Sequence, residues 1–199
     1  MKILNLGAGK VDLGRYIKNG SEDFICNVDR CYSDGLNIGQ CEDEYLAGEK
    51  IVYCQSDLFN FADSFKFKFD LVICERIFEH MEYLTGEVGR LLEAINTLTF
   101  FGAKLEIVVP NALLIAKKLQ NLEKWFDGMQ YSHSRFMNEL LLITSENHNI
   151  RLDPHLSTWT PKLAKFYIEQ EGIFNVELIK PQITFAGRDI YMKIICKKK

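Results

Sequence analysis

The chain has 199 residues, of which 47% are hydrophobic. This is enough to bury the core of one globular domain and too short for two full domains. Charged residues make up 26% and the formal net charge is -3, which excludes the disordered class and argues against nucleic-acid binding through bulk charge. We therefore interpret residues 1–199 as a single domain and the basic run Lys197-Lys198-Lys199 as a solvated tail.

The cysteines and the N-terminus bear on metal sites and location. The six cysteines form no CxxC pair, and no His lies at a zinc-finger spacing from them, so no metal site is predicted. No secretory leader pattern is visible, and no apolar run approaches the roughly 20 residues that cross a bilayer. These features predict a protein of the reducing cytoplasm without a membrane partner, in which the cysteines are small buried hydrophobic residues.

Short β-rich runs alternate with helical patterns along the chain, which is typical of a parallel sheet covered by helices on both faces. The runs are short and mostly apolar, as buried strands should be. The predicted strands are Lys2–Leu6, Phe24–Val28, Ile51–Cys54, Asp70–Cys74, Lys104–Val109, Phe174–Ile179 and Ile190–Cys196.

One helix is predicted between strands four and five, with Gly102 at its C-cap. Its apolar residues recur at helical spacing: Val88, Leu91, Leu92, Ile95 and Leu98. A second helix is predicted over 159–171, opened by Thr160-Pro161 as N-cap and first turn and closed by Gly172. The predicted face of this second helix consists of Leu163, Phe166, Tyr167 and Gln170.

The stretch after strand five does not follow this alternation. Two helical stripes, 115–126 and 136–143, are separated by Asp127-Gly128, which predicts a helical insertion over about 111–150. Ligand specificity is expected in this region, because it departs from the regular alternation. Five aromatic residues in or beside it form either an aromatic wall for a bound ligand or the core between packed helices. They are Trp125, Phe126, Tyr131, Phe136 and Trp159.

Glycines and acidic residues follow the predicted strands. The first strand runs into Gly7-Ala8-Gly9, Asp29 follows the second strand, and Glu75 follows the fourth. In an open α/β sheet, ligands bind beyond the carboxyl ends of the strands, where the strand order reverses. Gly7 and Gly9 allow the backbone to approach a ligand closely, and a carboxylate about 20 residues further on can accept hydrogen bonds from both ribose hydroxyls. An ordinary strand-to-helix turn is the alternative on these residues alone.

Taken in order, these segments resemble the class I S-adenosylmethionine-dependent methyltransferases of the small methyltransferase-domain type, over nearly the whole chain. The segments that carry the resemblance are Leu4–Gly9, Asn27–Asp29, Ser56–Leu58, Phe69–Ile73 with Phe78–His80, Val108–Asn111, and Asp153–Thr160 leading into a helix that ends before Ile173-Phe174. The resemblance implies a Rossmann-like, doubly wound α/β fold. Its seven-stranded sheet would be mainly parallel, with the last strand antiparallel.

The resemblance also implies S-adenosylmethionine as the cofactor and a role for each site residue. Gly7, Ala8 and Gly9 would pass close to the methionine portion, and Glu75 would border it. Asp29 would hold the ribose hydroxyls. Asp57 would hold the adenine amino group, and the backbone of Leu58 would hold the neighbouring ring nitrogen.

Two departures from the family pattern weaken the expected recognition of the methionine amine. Asn5 stands where Glu or Asp is common, and Val11 stands where a third glycine is common. Two other functions remain open. A nicotinamide-dependent oxidoreductase is disfavoured because Asp12 occupies the third-glycine position of GxGxxG and would face the pyrophosphate. The second open function is that of a non-catalytic partner subunit that binds the cofactor.

His80 is the predicted catalytic residue, because it follows strand four at the active rim and imidazole suits a general base near neutral pH. A structural role in bracing the loop is the alternative for His80. His133 and His155 are weaker candidates on segments that could cover the pocket. The acidic charge favours a small-molecule or sugar acceptor over a nucleic acid, which would call for a positive stripe.

Overall fold

The computed structural model describes residues 1–8, 24–29, 36–37, 51–57, 59, 61–65, 67–119, 157–183 and 190–199. Within them, eight strands form one sheet in the order β3-β4-β2-β1-β5-β6-β8-β7. All pairings are parallel except those of β8, which runs antiparallel to both β6 and β7. The strands are β1 Lys2–Leu6, β2 Phe24–Asp29, β3 Leu36–Asn37, β4 Ile51–Gln55, β5 Phe69–Glu75, β6 Thr99–Pro110, β7 Phe174–Gln182 and β8 Tyr191–Lys198.

The seven predicted strands are all present, and the last strand is antiparallel as predicted. The eighth, β3, is a two-residue strand at the edge of the sheet beside β4. It was missed because two residues carry no periodicity. The fold class is therefore the predicted doubly wound α/β sheet with one short strand added.

The sheet is buried on both faces, which explains why its strands are apolar without alternation. Leu4 and Leu6 of β1 join the large core cluster on one face. Ile3 packs with Ile25, Leu71 and Ile73 in a separate cluster. Helices α1 Glu87–Thr97, α2 Ala112–Leu119 and α3 Pro161–Glu169, with 3-10 helices Phe61–Ser64 and Phe78–His80, connect the strands.

Helix α1 has the predicted buried stripe but not the predicted end. The five residues of the predicted stripe are buried, namely Val88, Leu91, Leu92, Ile95 and Leu98. The C-cap is Leu98, and the Lys198 ammonium donates to the carbonyl oxygens of Asn96 (2.7 Å) and Thr99 (2.9 Å). The prediction of Gly102 as the C-cap is wrong, because this glycine lies inside β6 with a φ of 76°. Its left-handed backbone conformation forms part of a bulge in β6 and does not end the helix.

Helix α3 begins as predicted, because the Thr160 side chain accepts a hydrogen bond from the Leu163 backbone N–H at 3.2 Å and Pro161 opens the first turn. Its buried face is nevertheless shifted by one residue. Ala164 and Ile168 are fully buried, whereas Leu163 and Phe166 are exposed. The predicted face of Leu163, Phe166, Tyr167 and Gln170 is therefore wrong apart from the half-buried Tyr167. The face was predicted wrongly because alanine is small and contributes little to a hydrophobic pattern, so Ala164 was not recognised as buried.

The solvated-tail interpretation of the terminal lysines is wrong for two of the three residues. Lys197 and Lys198 belong to β8, and the Lys199 backbone N–H donates to the Ile173 carbonyl at 3.0 Å. Of the predicted insertion, the structure describes helix α2, which starts just after β6. Residues 120–156, including Trp125, His133, His148 and His155, lie outside the described residues.

Four of the six cysteines fall in the described ranges, at 26, 54, 74 and 196, and all four are buried, as predicted for small hydrophobic residues. Burial raises the pKa of the Cys196 thiol to about 12. In the described part of the chain, no helix is long and apolar enough to cross a membrane. No group of three or more His, Cys, Asp and Glu side chains there is arranged to hold a metal ion.

Candidate functional site

Strand β1 marks the point where the strand order reverses. It pairs with β2 on one side and with β5 on the other, so Leu6 lies opposite both Val28 and Cys74. The next residues of the two neighbours, Asp29 and Glu75, flank the turn that follows β1. This is the crevice in which ligands of open α/β sheets bind.

The turn after β1 requires glycine at position 7 for reasons internal to the fold. Gly7 has a φ of 65°, and a Cβ built on it would lie 2.5 Å from the Ile77 Cδ1 atom. The Gly7 N–H donates to the Val28 carbonyl at 2.8 Å, and the Ala8 N–H donates to the same oxygen at 3.3 Å. The turn is therefore held close against β2. Gly9 lies outside the described residues.

Two aspartates lie at or just after the carboxyl ends of β2 and β4, at the same edge of the sheet. Asp29 is the half-buried last residue of β2, and its carbonyl accepts a hydrogen bond from the Ser56 N–H at 3.1 Å. Asp57 is exposed two residues after β4, and one of its carboxylate oxygens accepts from the Phe59 N–H at 2.8 Å. The backbone bond between the strand ends brings these predicted residues to one rim. Leu58 lies outside the described residues.

The segment after β5 begins with an unusual backbone conformation. Glu75 ends the strand half-buried, and Arg76 follows with a φ of 64°. Among the described residues, Arg76 is the one non-glycine residue with a positive φ. Its N–H donates to the Val108 carbonyl at 2.8 Å. A left-handed arginine costs about 1–2 kcal/mol and is held here by the neighbouring strand.

The 3-10 helix Phe78–His80 carries two ionisable residues, one half-buried and one completely buried. His80 is half-buried, and its backbone N–H donates to the Ile77 carbonyl at 2.9 Å. Glu79 is completely buried. Burial raises the pKa of Glu79 from 4.5 to about 8. The hydrogen bond to backbone and the Arg76 charge act in the opposite direction, and the Glu75 charge adds to the increase. The sequence analysis included Glu79 only within the segment Phe78–His80 and did not predict its burial.

The chain returns to this helix at residues 157–160. The Ser157 N–H donates to the Glu79 carbonyl at 3.1 Å, and the Ser157 hydroxyl donates to the Phe78 carbonyl at 3.1 Å. The Trp159 indole N–H donates to the Ser157 hydroxyl at 2.9 Å and to the Phe78 carbonyl at 3.2 Å. The backbone that carries His80 is thus fixed by a segment about 80 residues away in sequence.

Aromatic side chains complete this support. Tyr83 stacks on Tyr167 with ring centroids 4.2 Å apart and an interplanar angle of 5°. Trp159, 1% exposed, packs edge-on against Tyr83 and Phe78. The Tyr83 hydroxyl donates to the Thr158 carbonyl at 2.6 Å, and burial raises the pKa of Tyr83 above its ordinary value. For Trp159, the packed-core alternative holds and the acceptor-wall alternative does not.

A buried amide pair lies directly below the turn. The Asn5 side-chain amide donates to the Asn27 side-chain carbonyl at 2.8 Å, across β1 and β2. The Asn27 side-chain nitrogen has no hydrogen-bond partner within the described residues. A neutral amide therefore occupies the position where the family pattern has an acid. The described residues supply carboxylates, a close glycine turn and a spare buried donor, and this set fits a nucleoside ligand bearing hydroxyls.

Comparison with known proteins identifies the architecture. No family model and no curated protein matches the chain. Among solved structures, the pyocyanin biosynthetic protein PhzM has a TM-score of 0.59 at 14% identity, and the match covers 100% of this chain and 50% of PhzM. An S-adenosylmethionine-dependent methyltransferase from Methanosarcina mazei has a TM-score of 0.59 at 16% identity, with 99% of this chain and 92% of that one covered.

The N-methyltransferase NodS from Bradyrhizobium japonicum WM9, solved with S-adenosylhomocysteine, has a TM-score of 0.55 at 9% identity. That match covers 99% of this chain and 77% of NodS. The chain has the class I methyltransferase fold. The resemblance predicted from sequence is thereby confirmed as a likeness of fold. The chain spans half the length of PhzM, so activity and substrates are matters of proposal.

Proposed function

We propose that the chain binds S-adenosylmethionine at the carboxyl edge of β1, β2 and β5 and transfers its methyl group to a small molecule. The observation that carries this proposal is the pair of carboxylates, Asp29 and Glu75, on either side of the tight Gly7 turn at the reversal point of a class I methyltransferase fold. Similar folds solved with S-adenosylhomocysteine support the choice of ligand.

Each rim residue has a distinct part in this proposal. The Asp29 carboxylate accepts hydrogen bonds from the ribose hydroxyls, and Asp57 with the Leu58 backbone recognises the adenine edge. The Gly7-Ala8-Gly9 turn lies along the methionine portion, which Glu75 borders. The bound cofactor supplies a methyl group activated by a positive sulfur. The chain then has to align the acceptor with that carbon and exclude water, and alignment alone can supply about 7 to 11 kcal/mol.

His80 is the proposed general base when the acceptor is a hydroxyl or an amine. It is half-buried at the rim, and its backbone is fixed by the 3-10 helix and the Ser157–Trp159 segment. A fixed imidazole near an acceptor oxygen or nitrogen removes the proton as the new bond to carbon forms. His80→Gln should therefore lower kcat by about 10²-fold or more, with KM and S-adenosylhomocysteine affinity little changed. A parallel loss of stability and activity would assign His80 a bracing role instead.

The proposed acceptor is a small molecule or a sugar. The formal charge of -3 disfavours a long polyanion. Several structures of similar fold are small-molecule methyltransferases by name, including one that dimethylates an amino-riboflavin and one that acts on plantazolicin. The methylated atom is best sought with methyl-labelled S-adenosylmethionine and a panel of phenols, amines, carboxylic acids and sugars. A nucleic-acid substrate taking the label in preference to these would contradict the proposal.

The first test is a thermal melt with S-adenosylmethionine, S-adenosylhomocysteine and NAD in parallel, using wild type, Asp29→Asn and Asp70→Asn. Ligand at 100 times its Kd stabilises the fold by about 2.7 kcal/mol, which corresponds to about 5–10 °C for a chain of this size. We expect that shift with the two sulfur ligands for wild type and for Asp70→Asn, because Asp70 lies at the opposite edge. Asp29→Asn should lose most of it.

Two outcomes of this melt would contradict the proposal. A shift with NAD alone would favour the nicotinamide-dependent oxidoreductase. If neither class of ligand raises the melting temperature, the chain does not bind the proposed cofactor. A full shift in Asp29→Asn would leave the methyltransferase but assign the ribose to other residues. Ligand binding without transfer to any acceptor in the panel would favour a non-catalytic partner subunit.

A further inference from the structure

Two phenylalanines project from the edge of the sheet opposite the candidate site. Between β5 and β6, Phe69 lies opposite Thr99 and Leu71 lies opposite Lys104. Residues 100–103 therefore face a single position of β5, and Gly102 turns the chain there with a φ of 76°. We refer to residues 100–103 as the Phe bulge.

The aromatic rings of the Phe bulge face solvent. Phe101 is 84% exposed and Phe100 is 49% exposed, whereas Leu98 and Ala103 on either side are buried. A regular strand would turn alternate side chains inward, but the bulge keeps both rings outside. Adjacent large apolar side chains left outside a well-formed core are typical of a contact surface.

Lysines surround the Phe bulge. Lys68 precedes Phe69 at the start of β5, and Lys104 follows the bulge and lies opposite Lys197 of β8. A Cβ on Gly102 would lie 3.7 Å from the Lys197 Cε atom. These three lysines are exposed.

Two further charged groups lie at this edge, one ammonium and one carboxylate. The Lys198 ammonium reaches the Thr99 carbonyl at the base of the bulge, and its pKa is lowered by burial and then by the charge of Lys68. Asp70 is the acidic residue opposite the bulge, and its carboxylate already accepts the Lys2 backbone N–H at 2.8 Å. Among the described residues around the Phe bulge, lysines therefore outnumber acidic residues even though Glu169 and Glu177 act on the neighbouring Cys196 and the chain as a whole is acidic.

We propose that the Phe bulge docks on an anionic lipid surface. Two aromatic rings with flanking ammonium groups match the interface of such a membrane, where rings enter the boundary with the acyl chains and lysines pair with headgroups. A single-stranded nucleic acid would instead need a basic groove with successive stacking platforms. The high exposure of Phe101 is that of a projecting tip without walls. Peripheral docking departs from the sequence-based expectation of no membrane partner.

The proposal does not depend on the proposed methyl transfer. The Phe bulge lies at the amino-terminal edge of β6, and the candidate site lies at the carboxyl edge of the sheet. A molecule docked through the bulge would hold the candidate site away from the lipid. Binding to vesicles can therefore be measured without cofactor or acceptor.

The test is co-sedimentation of the full chain with vesicles of phosphatidylcholine and phosphatidylserine in equal parts, against vesicles of phosphatidylcholine alone. We expect binding to the anionic vesicles that weakens with added salt. The double variant Phe100→Ser with Phe101→Ser should bind the anionic vesicles at least about tenfold more weakly than wild type does. Leu84→Ser is the matched control, because Leu84 is 97% exposed in a different loop. It should bind as wild type does.

A second pair of variants tests the charges. Lys68→Gln with Lys197→Gln should weaken vesicle binding, whereas Lys162→Gln with Lys165→Gln, on exposed positions of α3, should not. Unfolding midpoints of all variants should match wild type, since these side chains are exposed.

Several results would overturn the proposal. These are no anionic-vesicle binding by wild type, equal binding to neutral vesicles, and equal loss in the Leu84 control. Phenylalanine-dependent binding of an oligothymidine in place of vesicles would assign the bulge to nucleic acid. Phenylalanine-dependent self-association in sedimentation equilibrium without vesicle binding would assign it to a second copy of the chain.

Discussion

The carboxyl group of Glu79 couples folding to pH. Its pKa is about 8 in the folded chain because of burial, compared with an ordinary value of 4.5. Between these two values the folded state binds more protons than the unfolded state, so stability falls as pH rises. Below about pH 4.5 both states are protonated and the penalty vanishes. Above about pH 8 the full cost of a buried charge applies.

Glu79→Gln should remove this pH dependence. An amide of the same shape carries no charge to bury, so the variant should gain stability relative to wild type as pH rises from 5 to 8. The contribution of one proton is at most about 1.4 kcal/mol per pH unit. Denaturant unfolding at several pH values measures it. Glu82→Gln, at an exposed position of the following loop, is the control. Parallel stability curves for Glu79→Gln and wild type would show that Glu79 stays charged when folded.

At the residue scale, position along a strand was predictable from sequence. Asp29 and Glu75 lie at strand ends as predicted, because strand ends follow from apolar runs, and their binding roles stay predictions. The burial of Glu79 and the hydrogen bonds of Trp159 were not predicted, because both depend on segments about 80 residues apart. Asp57 was predicted as a site residue from the segment that follows the third predicted strand, and its hydrogen bond with the Phe59 N–H is a local turn that periodicity does not report.

At the scale of elements, helix α3 depends on its N-cap. The Thr160 hydroxyl oxygen satisfies the Leu163 N–H, one of the donors without an intrahelical partner in the first turn. Thr160→Ala should cost about 1 kcal/mol, and Thr160→Ser should cost little because it keeps the acceptor. Urea unfolding with an unchanged m value measures the loss. Thr158→Ala, two residues earlier at an exposed position, is the control. Equal losses at 158 and 160 would show that the segment, not the cap, is responsible.

The end of α1 shows why element boundaries were harder to predict than elements. A glycine shortly after an apolar stripe predicts a C-cap, yet Gly102 belongs to the Phe bulge in β6. The carbonyls near the end of α1 are satisfied by Lys198, about 100 residues away. No local pattern contains that contact. The C-terminal lysines were predicted as a tail for the same reason, because their pairing with β6 is long-range and places Lys197 and Lys198 in β8.

At the scale of the whole molecule, the sheet was predictable because its connections are regular. Alternating strand and helix patterns imply parallel strands, and right-handed crossovers leave few possible orders. The reversal on either side of β1 follows from that order and locates the candidate site at one edge of the sheet. The basic edge is different. It forms where the start of β6 and the end of β8 meet. The net negative charge of the chain gives no indication of this local cluster of lysines.

The two edges should respond differently to ligand in hydrogen exchange. The amides of Gly7, Ala8 and Ser56 hold the turns between β1, β2 and β4, and these turns must stay closed for ligand to remain bound in the crevice. With S-adenosylhomocysteine at 100 times its Kd, exchange through local opening there should slow by up to about a hundredfold. The amide of Phe101, at the opposite edge, should keep its rate. Equal slowing at both edges would indicate exchange through global unfolding, and slowing confined to the Phe bulge would locate the ligand at the wrong edge for this proposal.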